Sequence, residues 1–309
     1  MRSARQSGIA LITALLVVAV AATAAIAMID RQQVDIRRSQ NIFARDQAYA
    51  YALASESFAM DILAADLRSG PHDHLAEPWA QGPLPLNFEG ADILLYLEDL
   101  QGRFNLNNLV NAAGEPVESQ LQRFRNLLRL LELDPLIADA VVDWLDPNQD
   151  TRYPGGAEDD VYTRKDPAYR PANGPMRSLT ELRMVEGVTP RVYERLAPLL
   201  TVLPGQTTLN INTAGAPLLA SLADDLNLAQ GEQLLEVRPE NGFESVDSLL
   251  QSAVFAGRQV AADSLSTGSR HFELRASVEL GRSRAELTSH IQRGAQGGLK
   301  ILARGSGVL

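Results

Sequence analysis

Residues 8–30 read GIALITALLVVAVAATAAIAMID. From Ile9 to Ile29 this is 21 residues without a charge. At ~1.5 Å per residue a helix of that length spans about 31 Å, which matches a hydrocarbon core of roughly 30 Å. Arg2 and Arg5 precede the stretch, and Asp30 and Arg31 follow it. The basic side is the one retained in the cytoplasm, so the remainder of the chain is expected to cross the membrane.

Three readings of this stretch compete. Ala25-Ile26-Ala27 has the small-x-small form of a secretory cleavage site, which would start the mature protein at Met28. The stretch could equally be an uncleaved anchor. In the third reading, residues 1–8 are a short basic leader cut between Gly8 and Ile9, and the apolar helix stays in the product. The third accounts for more of the sequence, because no break follows Ile29. Tyr49, Leu53, Glu56, Met60, Leu63 and Leu67 step by fours and threes, which predicts one helix face, apolar except at Glu56. Gly70-Pro71 is the first stop. The pattern predicts one rod over 9–69, lipid-facing over 9–29 and amphipathic over 30–69.

Outward from the rod, residues 71–90 (PHDHLAEPWAQGPLPLNFEG) form a turn-rich link with four prolines. His72-Asp73-His74 within it is a weak metal fragment, and the plainer reading is a solvated linker. Ile93 to Glu98 reads as a strand. Near the C-terminus Phe272, Leu274, Ala276, Val278 and Leu280 alternate with polar residues. Gly281 turns the chain, and Ala285, Leu287, Ser289 and Ile291 keep the period of two; Leu299–Leu302 adds a last strand. These segments predict a small antiparallel sheet with one apolar face for the amphipathic half-helix to cover.

Between Phe104 and about Leu265 the pattern is helical, with an internal echo: Phe104-Asn-Leu-Asn-Asn-Leu109 and Leu209-Asn-Ile-Asn-Thr-Ala214. Each opens a set of short helices. Asp134-Pro135 caps one start, Ser178 another, and Gly187-Val188-Thr189-Pro190 is a hairpin turn. The units look like helix-hairpin-helix or SAM-like modules. Such modules often bind DNA, yet the chain carries a formal charge of -10 and a pI near 5.0, with no basic cluster on the hairpins. Nucleic acid is therefore not an expected partner.

The chain has no cysteine and four histidines, so thiolate chemistry and a histidine-rich metal cage are excluded. No Gly-x-Ser-x-Gly, phosphate loop or His-x-x-x-His occurs, and an enzyme is not expected. The one segment with site chemistry runs from Asp143 to Asp160. Asp143, Asp146, Asp150, Glu158, Asp159 and Asp160 put six carboxylates within eighteen residues, and oxygen donors of this kind select calcium. Asp146, Asn148 and Asp150 have the 1-3-5 spacing of a calcium loop, but Thr151 and Ala157 stand where an EF-hand needs Gly and Glu. The alternative is an open, solvated acidic loop.

Gly8 followed by the apolar run resembles the N-terminus of type IV pilins and pseudopilins. The resemblance implies cleavage between Gly8 and Ile9 by a prepilin peptidase. Most members carry Glu five residues into the product, to neutralise a neighbour's new amine; here Thr13 stands in that place. The missing carboxylate, the leader and the large helical insertion together resemble the K-type minor pseudopilin of type II secretion systems.

That resemblance implies an α+β fold: a pilin-like long N-terminal helix on a small antiparallel sheet, with a large, mostly helical SAM-like insertion. Expected divisions are 70–103 for the first part of the sheet core, 104–205 and 206–268 for the two helical units, and 269–309 for the last strands. It further implies structural calcium, with Asp146, Asp150, Glu158, Asp159 and Asn173 as ligands and Asp143 and Asp160 as weaker choices. The implied partners are minor pseudopilins of the I and J types, the major pseudopilin and the inner-membrane secretion platform. The implied location is the bacterial inner membrane, single-pass, with a periplasmic body. A minor type IV pilin and a secreted calcium-dependent protein remain the alternatives.

Overall fold

The computed structural model describes residues 4–294 and 297–306; residues 1–3 of the expected leader lie outside them. Helix α1 (Ala4–Ser69) is continuous, about 100 Å long at ~1.5 Å per residue. From Ile9 to Ile29 it stands clear of the rest of the chain, its side chains exposed. Beyond α1 come β1 (Leu84–Phe88), β2 (Ala91–Asp99), β3 (Phe104–Asn105), α2 (Glu118–Leu130), α3 (Ile137–Leu145) and α4 (Asp159–Tyr162). Then follow α5 (Pro190–Leu196), β4 (Leu200–Thr201), β5 (Leu209–Asn210), α6 (Ala216–Ala220), α7 (Leu228–Glu236) and α8 (Val246–Leu250). The chain ends with β6 (Leu265–Ser266), β7 (His271–Leu280), β8 (Ser283–Arg293) and β9 (Leu299–Gly305).

Five strands form one antiparallel sheet in the order β1-β2-β7-β8-β9. The period of two sends Ile93, Leu95 and Leu97 of β2 inward beside Phe272, Leu274, Ala276 and Val278 of β7 and Leu287 and Ile291 of β8. Leu95 lies opposite Ala276, and Ala276 opposite Leu287, so large and small side chains alternate across the layer. Gly281, at φ +59, begins the two-residue turn joining Leu280 to Ser283. Strand β1 lies within the proline-rich link. Pro85 is tolerated because β1 is an edge strand.

The second half of α1 covers this sheet, but its buried face is rotated from the expected one. Ala48, Ala52, Ala59 and Leu63 are fully buried with Ser55 and Glu56, whereas Tyr49 is 47% exposed. Small side chains let the helix axis come close to the sheet, and the larger Leu53 and Met60 pack at the margin. The link after α1 is not an open tether either. Asp73 and Trp79 are each 1% exposed, and Trp79 packs edge-on against Phe272 at 5.4 Å.

The helical insertion leaves after Asp99 and returns at His271. Asp99 and Phe272 are register partners on neighbouring strands, so the insertion occupies the place of a hairpin turn. It holds two units, each closed by a short parallel pair: β3 with β4, and β5 with β6. One continuous apolar core, including Phe104, Phe124, Trp144, Tyr162, Leu218 and Phe243, runs through both.

Candidate functional site

The acidic segment begins on α3, whose apolar side buries Val141, Val142, Trp144 and Leu145. Trp144 packs edge-on against Tyr162 at 5.5 Å, which fixes it as core. Asp143 is fully buried, and its carboxylate accepts the Arg152 backbone N–H at 3.0 Å, folding the loop back onto the helix. Only glycine fits at 156, because a Cβ there would collide with the Asp143 carboxylate and the Arg152 backbone. Asp146 ends α3, is 3% exposed, and accepts the Asn148 N–H at 3.1 Å.

Glu158 is 3% exposed, and neither of its carboxylate oxygens has a hydrogen-bond partner. Burial, then the charges of Asp143, Asp146, Asp159 and Asp160, push its pKa up to about 7. Burial likewise raises Asp143 to about 6, and it raises Asp146. The Arg152 side chain pairs with Asp139 at 3.1 Å and Glu118 at 3.2 Å, and its charge lowers Asp146 without offsetting the burial. Asn173, in a left-handed conformation at φ +45, buries a side-chain oxygen that is also without a partner.

The structure thus draws Asp143, Asp146 and Glu158 into one buried, mutually repelling group, and Asn173 buries a third orphan oxygen. Asp150 is exposed. Asp159 lies 3.6 Å from Arg170, and Asp160 pairs with Arg164 at 3.0 Å on the surface. Among the described residues, a tighter carboxylate triplet is formed elsewhere by Asp66, Asp73 and Glu77. There Arg293 already supplies the positive charge, at 3.0 Å from Asp66 and 2.8 Å from Asp73.

In the apolar half of α1, Thr13 donates its hydroxyl to the carbonyls of Ala10 and Ile9 at 3.0 and 3.1 Å. No polar group is left unpaired at the position where the pilin pattern has a carboxylate.

The two asparagine-rich stretches prove to be equivalent clasps. Asn107 donates to the Met176 carbonyl and accepts the Met176 N–H, at 3.0 and 2.9 Å. Asn212 makes the same pair with Phe243, at 3.1 and 2.7 Å. Asn105 gathers the chain around Leu203 to Thr207. Its counterpart Asn210 donates to Asp99 Oδ2, Ser269 Oγ and the Asp73 carbonyl, each at 3.0 Å. Asp99 also accepts from Ser269 and Thr213, so the second clasp is riveted to the sheet and to the link. Composition could not single out Asp73 and Asp99, because apart from the nearby Gln101 N–H the groups they bond lie more than a hundred residues away in the chain.

Residues 102–205 and 209–268 match two family models, both described as Type II secretion system (T2SS), protein K. Those limits enclose the two units, from β3 to β4 and from β5 to β6. The Type II secretion system protein K of Pseudomonas aeruginosa is 37% identical, with 98% of this chain and 93% of that protein aligned. The chain belongs to the type II secretion system protein K family. Its relative in Klebsiella pneumoniae is 33% identical over 94% of this chain and 93% of that protein. A protein K family structure has been solved in the GspK-GspI-GspJ complex of enterotoxigenic Escherichia coli. It superimposes with a TM-score of 0.76 at 28% identity, covering 87% of this chain and 98% of that one. The chain thus has the expected α+β architecture, with a long N-terminal helix, a small antiparallel sheet and a helical insertion of two units.

Proposed function

We propose that this chain is a minor pseudopilin at the tip of a type II pseudopilus, contributing to secretion by assembly and capping rather than by catalysis. The observation that carries the reading is the near-complete correspondence with the GspK chain of a GspK-GspI-GspJ complex. On this reading its tip partners are pseudopilins of the I and J types. The major pseudopilin lies below, and the inner-membrane platform supplies the subunits. A prepilin peptidase cuts between Gly8 and Ile9, and the freed helix stays in the inner membrane with the body in the periplasm. Thr13 suits the topmost subunit. With no subunit above to offer an amine, a glutamate there would be an unpaired charge in lipid, costing several kcal/mol.

The acidic loop fits a structural calcium ion. Glu158 and Asn173 bury three oxygens without partners, and Asp146 adds a buried carboxylate whose charge acts on Glu158. Asp150 and Asp159 could close the shell from the solvent side. Calcium would supply the missing countercharge and tie the end of α3 to the start of α4. Three measurements test the whole reading. N-terminal sequencing of the mature subunit should begin at Ile9; a start at Met28 removes the pseudopilin assignment. Co-purification should recover the I- and J-type subunits, and their absence would remove the tip placement. Melting in calcium against chelator should show a rise of several degrees with calcium, and equal values would remove the metal.

A further inference from the structure

The last turns of α1, the link after it and the turn before α8 enclose a cavity of about 1030 Å³. Its walls are mostly apolar, with Ile62, Ala65, Pro78, Trp79, Pro239 and Phe243 among them. Mostly apolar walls with a few polar groups are the make-up of a binding pocket. Both sides are held in place from within the chain. The Asn212 clasp fixes Phe243, and Arg293 fixes Asp66.

The polar groups on these walls are acidic. Asp66 and Glu77 line the cavity, and Glu244 stands at its exposed rim. Among the described residues no lysine or arginine lines it. Behind the wall, Asp66, Asp73 and Glu77 come within 4.8 Å of one another and meet one arginine, Arg293. His74 adds little charge at neutral pH, since burial holds it below its ordinary value. Burial, and then the neighbouring Glu77, push Asp66 up to about 6. Negative charge here exceeds its countercharge.

Most of the triplet's oxygens are already bonded. Arg293 holds Asp66 Oδ2 at 3.0 Å and Asp73 Oδ1 at 2.8 Å. The Ser269 N–H holds Asp73 Oδ2 at 2.6 Å. Glu77 Oε2 accepts the His74 N–H at 3.0 Å and Trp79 Nε1–H at 2.7 Å. Asp66 Oδ1 and Glu77 Oε1 remain, without a hydrogen-bond donor among the described residues. Their side chains are 8% and 13% exposed, so each keeps a face to the cavity. Two oxygens on apolar walls are too few for calcium, which takes roughly six to eight. They suit a cationic head carried on an apolar stem.

We infer that this cavity receives an arginine or lysine side chain of a partner polypeptide, its stem against the apolar wall and its charged head at Asp66 and Glu77. Glu244 at the rim draws the same charge inward.

The test uses the full-length chain in detergent, with calcium present, and two pentapeptides capped at both ends. One is Ala-Leu-Arg-Leu-Ala, and the other has neutral citrulline in place of arginine. Calorimetric titration should show the arginine peptide binding about tenfold more tightly. Glu77→Gln should remove most of that preference, while glutamine keeps an acceptor for Trp79 Nε1. Glu244→Gln should reduce it about twofold, and it carries the test if Glu77→Gln does not fold. Glu194→Gln, an equal loss of charge on exposed α5 outside the cavity, should leave the preference unchanged. It separates docking from the general pull of an acidic chain. Equal binding of the two peptides overturns the inference, and is the result expected if a calcium ion sits between Asp66 and Glu77. A preference that survives in the folded Glu77 and Glu244 variants overturns it as well, as does one that Glu194→Gln weakens equally. None of these results bears on the pseudopilus-tip placement, which stands or falls on its own measurements.

Discussion

Glu158 shows how one side chain sets a pH dependence. Its proton is held to about 7 in the fold, against an ordinary value of 4.5. Without a metal ion, the folded state then binds more protons than the unfolded chain between those values. Stability from this group is present at pH 4.5 and is lost as pH rises through about 7. In chelator, Glu158→Gln should therefore be more stable than wild type at pH 7.5, with the gap closing at pH 5. Urea midpoints measure this, and a constant gap contradicts it. In calcium the order should reverse at pH 7.5, because the ion replaces the proton. The asparagine clasps give a second residue-scale prediction. Asn107→Ala leaves both backbone groups of Met176 unpaired in the core, and Asn212→Ala does the same at Phe243. Each should cost about 2–6 kcal/mol, from ~1–3 kcal/mol for each of the two orphaned buried groups, read as a lower denaturation midpoint. The echo between the two stretches was legible in the sequence, since the same polar residues recur at the same spacing. What each asparagine grips was not, because Met176 and Phe243 are ordinary residues that only the closed fold brings within reach.

Among the elements, the antiparallel strands were the most readable. Phe272 to Val278 and Ala285 to Ile291 alternate because one face meets a helix and the other is largely open to water, with Thr288 the buried exception. Two things stayed hidden. Strand β1 sits in a proline-rich stretch that reads as a loop, and only its edge position makes a strand there permissible. The face of α1 was read from its largest apolar residues, whereas the contact with the sheet is made through alanines, which periodicity weighs least. Glu56 stood out as a polar break on that face. It is buried, and its carboxylate accepts from Ser289 at 2.6 Å and from the Arg304 fork at 2.7 Å. Burial would raise Glu56, but these bonds overcome it and hold the group below its usual range. Its contribution to stability is therefore present above pH 4.5 and lost as pH falls through the lowered value. Arg304→Ala should remove that contribution and lower the denaturation midpoint at neutral pH, because it takes the charged donors from a buried carboxylate. Hydrogen exchange locates the effect: β9 amides should exchange faster while those of β7 keep their protection. Uniform loss across the sheet would show that β9 is not a separable element.

At the scale of the whole molecule the design is an insertion hung on a hairpin. β2 and β7 are neighbours, and Asp99 and Phe272 face each other where the insertion departs. The ends of the insertion meet there as well. Gln101 accepts the Arg270 N–H at 2.6 Å and donates to the Thr208 carbonyl at 2.9 Å. Each part also owns an apolar core, one between α1 and the sheet and the other running through both helical units. A chain excised as residues 100–270 should therefore fold alone, with termini already in contact. Its weak point is the clasp whose partners are left behind: Asn210 donates to Asp73 and Asp99, Thr213 to Asp99, and Ser269 to both. The excised body should be less stable by about 1–3 kcal/mol for those lost partners, yet keep the calcium-dependent shift, whose residues all lie within it. Conversely, joining Asp99 to Phe272 through Asn-Gly should leave the rod and five-stranded sheet folded, because that pair favours the tight turn such a hairpin needs. Near-ultraviolet circular dichroism and denaturant melts of both pieces decide the matter. If either piece keeps its secondary structure but loses fixed aromatic packing, the two cores are one cooperative body, and the clasp at Asn210 and Asp99 is what unites them.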